Sequence, residues 1–115
     1  MEIDKPIEVI FLKPAEYFIE TLDNKARIKF FKVMRKTQAG IHGHWFKKLR
    51  GTNGIYEFRV DEGNKYYRLF AFWDKESNKE TLIVGTHGIA KKSNKTPLKE
   101  IRKANRLKQE YFENK

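Results

Sequence analysis

The chain has 115 residues, 39% of them hydrophobic and 14% aromatic, with a formal net charge of +10. That length sets the expectation of a single domain over residues 1–115, and the aromatic content argues for a packed core despite 35% charged residues. No apolar run reaches the roughly 18 residues of a membrane helix, and the start MEIDKPIEVIF lacks a signal-peptide pattern, so a cytoplasmic protein is expected. Cysteine is absent, which excludes disulfides, thiolate nucleophiles and cysteine-ligated zinc.

Taken in order, Pro6–Leu12 alternates imperfectly and reads as an edge strand with proline at its start. Lys13-Pro14-Ala15-Glu16 opens a helix, since proline in a first turn forfeits no hydrogen bond. Tyr17, Phe18 and Leu22 are its expected buried side. Asp23 is placed to cap a second helix from about Asn24 to Gln38, stopped by Gly40. In that helix Arg27, Phe30, Phe31 and Met34 follow helical spacing, and Lys25, Lys29, Lys32 and Lys36 lie outside. The two helices form a hairpin expected to rest on a sheet. Ile41–Leu49 is a connection, strand-like over Phe46–Leu49, followed by Arg50. His42 and His44 have no third ligand at a metal-site spacing, and no metal or cofactor is expected.

The sheet comes from three runs separated by turn residues: Ile55–Asp61, Lys65–Asp74 and Glu80–His87. A Glu62-Gly63 turn between the first two puts Tyr56, Phe58 and Val60 on one face with Tyr67, Leu69, Ala71 and Trp73. Glu57, Arg59, Tyr66, Arg68, Phe70 and Phe72 fall on the other, and a longer turn of the same parity keeps these faces. After the third run, Gly88–Lys95 reads as a basic loop, and Thr96-Pro97 starts a last helix with Thr96 as its cap. Between Lys91 and Lys108 stand eight basic residues and a single acid, Glu100. The expected class is α+β: a small antiparallel sheet between the helical hairpin and the last helix.

The unevenly spread charge calls for a polyanionic partner or an acidic protein. Neither a Gly-x-Ser-x-Gly elbow nor a phosphate-binding glycine loop is present. A cationic, aromatic sheet face suits unpaired RNA: Tyr66, Phe70 or Phe72 to stack a base, and Arg59, Arg68, Lys91 and Lys92 to hold phosphates. Such a face is also compatible with cleavage. The RNA 2′-OH is a built-in nucleophile, so the protein has only to align it, neutralise the phosphorane and move protons. Arginines supply the charge, His87 a proton for the leaving 5′-oxygen, and Glu57 a weak base. The plain reading of the same residues is structural: a satisfied His87, and Arg59 and Arg68 paired with Glu57 or Asp61.

Leu49-Arg50-Gly51-Thr52-Asn53-Gly54-Ile55-Tyr56-Glu57-Phe58-Arg59-Val60, Tyr67-Arg68-Leu69-Phe70, Gly88 through Pro97 and Ala104-Asn105-Arg106 together resemble the RelE/HigB superfamily of type II toxins, most of all its phage-derived HigB-like branch. The resemblance implies a RelE-like fold and a metal-independent endoribonuclease that cuts mRNA on the ribosome. It also implies a cognate helix-turn-helix antitoxin as partner. By position it makes Arg59 and Arg68 contacts of the scissile phosphate and His87 a general acid. Arg50, Lys91 and Lys92 become RNA contacts, joined by the neighbouring Lys47 and Lys48 and by Tyr66. Glu57 stands where some relatives carry lysine, and the late stacking tyrosine has no clear counterpart. Relatives that poison gyrase, and inactive ones that only bind an antitoxin, keep the non-catalytic alternatives open.

Overall fold

The computed structural model describes residues 7–76 and 81–115. In chain order the elements are β1 (Glu8–Phe11), α1 (Lys13–Thr21), α2 (Asn24–Gln38), β2 (Phe46–Lys48), β3 (Tyr56–Glu62), β4 (Lys65–Asp74), β5 (Leu82–Lys91) and α3 (Leu98–Glu113). The strands form one sheet in the order β1-β5-β4-β3-β2, with β1 parallel to β5 and the other pairs antiparallel. The expected α+β architecture is therefore present, with the antiparallel centre extended by one edge strand on each side. Pro6 and residues 77–80, which carry the expected strand starts and part of a turn, lie outside the described residues.

Glu62 pairs with Lys65, so the hairpin turn is Gly63-Asn64 and not Glu62-Gly63. Gly63 takes a φ of 63°, and placing it first in the turn suits the twist of the strands. The pairing shifts by an even number of residues, so the two faces are as expected. β5 runs to Lys91, because Ile89 and Lys91 continue to pair with Arg68 and Tyr66; the residues read as the start of a loop are strand.

Asp23 caps α2 by accepting a hydrogen bond from the Ala26 N–H at 2.9 Å. Arg27 does not join the buried stripe. Its guanidinium donates to the carbonyls of Ile19, Glu20 and Leu22 at the end of α1, where the helix supplies few donors of its own. The buried side of the hairpin is Ala15, Ile19, Leu22, Ala26, Phe30 and Met34, packed on Phe58, Val60, Tyr67, Leu69, Ala71 and Ile83. Tyr17 and Phe31, expected inside, are 70% and 44% exposed. Close approach selects small residues here: a Cβ at Gly88 would stand 2.1 Å from the Phe18 ring, so bare backbone is what lets α1 settle on β5.

The opposite face is covered by α3 over a second cluster of Ile55, Phe70, Phe72, Val84 and Ala104. Pro97, not Thr96, occupies the N-cap of α3, and no side chain caps that end. The far end is tied to β4, where the Tyr111 hydroxyl and Lys115 Nζ each donate to Asp74 Oδ2 at 2.7 Å. Burial raises the Asp74 pKa, but these bonds and one from the Glu76 N–H outweigh it and hold the carboxyl below its ordinary value. Among the described residues no helix is long and apolar enough to cross a membrane.

Candidate functional site

On the α3 side of the sheet, apolar packing gives way to charge near the β3–β4 hairpin. Cross-strand partners share a face, which sets up three rows: Lys47, Glu57 and Phe70; Arg59, Arg68 and Ile89; Asp61, Tyr66 and Lys91. Arg59 and Arg68 are thus direct neighbours on one face, as the strand parity implies. Two guanidinium groups side by side repel unless an anion lies between them. Glu57 is that anion.

Glu57 is 1% exposed. Its Oε1 accepts from Arg59 Nε at 2.8 Å and lies 3.8 Å from Arg68 Nε, while Oε2 accepts from the Thr96 hydroxyl at 3.2 Å. Lys91 Nζ donates in turn to Thr96 Oγ1 at 2.9 Å. Burial lowers the Lys91 pKa; Glu57 pulls it up, and Arg68 and Arg59 push it down. The result is a buried carboxylate between two guanidinium groups, with a hydroxyl on its second oxygen and the Lys91 ammonium one bond further out. Each oxygen accepts one hydrogen bond from this shell, so Glu57 clamps the arginines in place.

Arg68 is 2% exposed and fully engaged on one side. Its Nη1 donates to Asp61 Oδ1 and to the Tyr67 carbonyl, both at 2.9 Å, and Nη2 to Asn94 Oδ1 at 2.6 Å. The guanidinium also lies 5.6 Å from the centre of the Tyr66 ring. Its Nε has no hydrogen-bond partner among the described residues. Arg59, with 30% of its side chain exposed, is the more accessible of the pair.

His87, expected at a strand end, stands inside β5, at a bulge. Leu69 pairs with Gly88 and Ala71 with Gly85, so Thr86 and His87 together face Phe70. The extra residue turns the imidazole onto the same face as Arg68. There it packs on the Phe70 ring at 4.9 Å and is 2% exposed. Nε2 is 3.2 Å from Glu100 Oε1 and Nδ1 3.1 Å from Thr86 Oγ1. Burial pushes its pKa below the usual value, and Lys103 and Arg106 add to this. The bond to Glu100 and the charge of Glu100 pull the other way and do not prevail. In this arrangement the first turn of α3 closes over the ring.

Of the remaining candidates, Lys47 and Lys92 are exposed, Lys91 and Tyr66 half-buried. Arg50 is exposed in the turn before β3, and Lys48 pairs with Tyr56 and so belongs to the opposite face. Asp61, expected as an arginine partner, is bonded to Arg68; Asn94, Thr96 and Glu100 were missed as members of the cluster. Glu100 had a usable signal, as the single acid in a long basic run. Thr96 pointed elsewhere because a threonine before Pro-Leu-Lys-Glu reads as a cap. Among the described residues no group of three or more His, Asp or Glu is gathered that would hold a metal ion.

Residues 17–109 match the family described as phage derived protein Gp49-like (DUF891). The chain belongs to that family. This Gp49-like chain also has the RelE fold. It resembles a mutant of the toxin RelE from E. coli in the free state, with a TM-score of 0.60 and 16% identity, over 84% of this chain and 90% of that one. A second likeness is to the toxin–antitoxin complex RelBE2 from Mycobacterium tuberculosis, at TM-score 0.53 and 20% identity, over 76% and 94% of the two chains. A third is to the archaeal RelE–RelB complex from Pyrococcus horikoshii, at TM-score 0.52 and 16% identity, over 79% and 99%. No curated protein matches the Gp49-like chain.

Proposed function

We propose that this protein is the toxin of a type II toxin–antitoxin pair and cuts mRNA on the ribosome, using the RNA 2′-OH as nucleophile. The observation that carries the reading is the pair Arg59 and Arg68, held side by side on one face by the buried Glu57, with Lys91 beside them. A phosphate entering beside Arg59 meets a cluster whose cations outnumber its central carboxylate. Arg59 and Arg68 then stabilise the charge that builds on the phosphorane as the 2′-hydroxyl attacks, its proton passing to water, and the bond from phosphorus to the 5′-oxygen breaks. His87 protonates that oxygen once Glu100 has lifted away, the incoming phosphate supplying the negative charge that a protonated ring needs. The lysines at 47, 91 and 92, with Arg50 and Tyr66, hold the flanking strand.

Two of the similar structures are complexes with an antitoxin, which supports a cognate antitoxin here; the helix-turn-helix class follows from the resemblance alone. The test is purified chain added to a translation reaction without antitoxin. Cut transcripts are expected, and Arg59→Gln should slow cutting by about 100-fold or more; intact mRNA would overturn the reading. The burial of Arg68 and His87 favours one alternative, a protein of this fold that arrests growth by binding alone. Growth arrest with DNA damage and uncut transcripts would establish it, and no growth effect at all would mark an inactive antitoxin-binding protein.

A further inference from the structure

A second site is built at the other end of the same hairpin. A cleft of ≈ 680 Å³ opens where β3 begins and β4 ends, walled by β2, the turn before β3 and the last turns of α3. Its lining combines the rings of Tyr56, Trp73 and Phe112 with Lys48, Lys75 and Lys108. Trp73 stands five residues from Arg68 along β4, about 17 Å at strand spacing, so the cleft is separate from the arginine cluster.

Positive charge is concentrated here. Lys115 occupies the two nearby carboxylates, reaching Asp74 at 2.7 Å and Glu76 at 2.5 Å. Lys108 donates to the Asn53 carbonyl at 2.7 Å and sits 5.8 Å from the Phe72 ring centre. Its pKa is lowered, first by burial and then by the charge of Lys75, so two ammonium groups face the same space. Gly54, at a φ of 78°, lines the cleft beside the Lys108 nitrogen. Lysine nitrogens lining a cleft offer a place to an anion, and the rings beside them narrow its class. Tyr56 and Trp73 meet at 90° with centroids 6.3 Å apart, and Phe112, 41% exposed, presents a third ring.

We infer that this cleft is a subsite for single-stranded RNA, taking a base against Trp73 and Phe112 and its phosphates on Lys48, Lys75 and Lys108. The inference extends the proposed action on RNA by giving the strand a second hold, away from the cationic pair. Lysines with rings beside them are the recurrent means of gripping an unpaired strand without reading its sequence.

The test is binding of a fluorescently labelled single-stranded RNA heptamer across a salt series. The variant Lys48→Gln/Lys75→Gln/Lys108→Gln should shallow the dependence of log K on log salt by about 2, near 0.7 for each phosphate of a single strand that is no longer neutralised. Phe112→Ala should weaken binding by about fivefold or more through lost stacking. An unchanged slope in a triple variant that keeps the wild-type circular dichroism would overturn the inference. So would equal affinity for a duplex of the same sequence, whose bases are not free to stack, or equal competition by a polyglutamate heptamer. The arms separate the two claims. If ribosome-bound mRNA stays intact while the triple variant loses heptamer affinity, the cleavage reading fails and the cleft remains an RNA site.

Discussion

The two faces of the sheet are sealed in different ways. On one, α1 and α2 bury Ala15, Ile19, Leu22, Ala26, Phe30 and Met34 in a continuous apolar layer. On the other, α3 runs sixteen residues and buries Ala104 alone, while its ends rest on polar contacts: Glu100 on His87, Tyr111 on Asp74. Apolar burial contributes about 25 cal/mol per Å² and does not depend on direction. A polar contact exchanges for one with water or ligand at a small net cost. The first face therefore carries the larger apolar cluster, while the second keeps a smaller one and fastens the two ends of its helix by polar contacts that can be exchanged.

The largest effect belongs to the first face. Phe30→Ala removes a fully buried ring and should cost about 3–5 kcal/mol, read from the urea midpoint at constant m. Leu107→Ala on α3, where the side chain is only half-buried, should cost about 1 kcal/mol or less. Equal losses would remove the distinction between the layers.

Next comes the charged end. Arg68→Ala should cost about 3–5 kcal/mol, because it strips the buried Glu57 of one cation and leaves Asn94 and Asp61 without their donor. Arg59→Ala should cost less, about 1–3 kcal/mol, since its side chain is partly solvated and Arg68 stays. Chemical denaturation of both variants decides this. The consequence is practical. Loss of activity in an Arg68 variant has to be separated from loss of fold, whereas Arg59 reports on the site more directly.

The same contrast explains what could be read in the sequence. Strand parity, the Asp23 cap and the Lys13-Pro14 helix start are local, and each is where its residues require. The arginine pair on one face followed from period-two alternation alone. What stayed hidden depended on packing between elements. Tyr17 and Phe31 were misplaced because helical spacing does not say how close a helix comes, and Gly88 brings α1 close enough for alanine and isoleucine to suffice. The bulge at Thr86-His87 inserts one residue that no pattern marks, and it decides which way the imidazole turns. The last helix was expected over this face, but nothing in the sequence marked that Glu100 in its first turn would lie on His87, or that Asn94 ahead of it would hold Arg68.

A smaller effect tests how α3 is held. Tyr111→Phe removes the hydroxyl from Asp74 but leaves Lys115 in place, so about 1 kcal/mol should be lost. The loss should appear as faster hydrogen exchange across Leu98–Glu113, with α2 and β4 amides unchanged. A uniform rise across the molecule would mean that α3 and the core open together.

The smallest effect is a pH dependence from His87, and its sign follows from burial. The ring's folded pKa lies below 6.5, so in the window beneath 6.5 the unfolded chain binds a proton that the folded chain does not. Stability therefore falls as pH is lowered from 6.5 toward the folded pKa, and levels off below it. Around the ring, Glu100 favours the proton, whereas Lys103, Arg106 and the Phe70 face do not, which is why the decline should be shallow. His42 and His44 are exposed, and His87→Asn should remove most of the slope. Should the wild type instead grow more stable on acidification through this window, Glu100 would outweigh burial. The imidazole would then be a charged member of the cluster, and α3 would be held at its first turn by an ion pair that an incoming phosphate has to break.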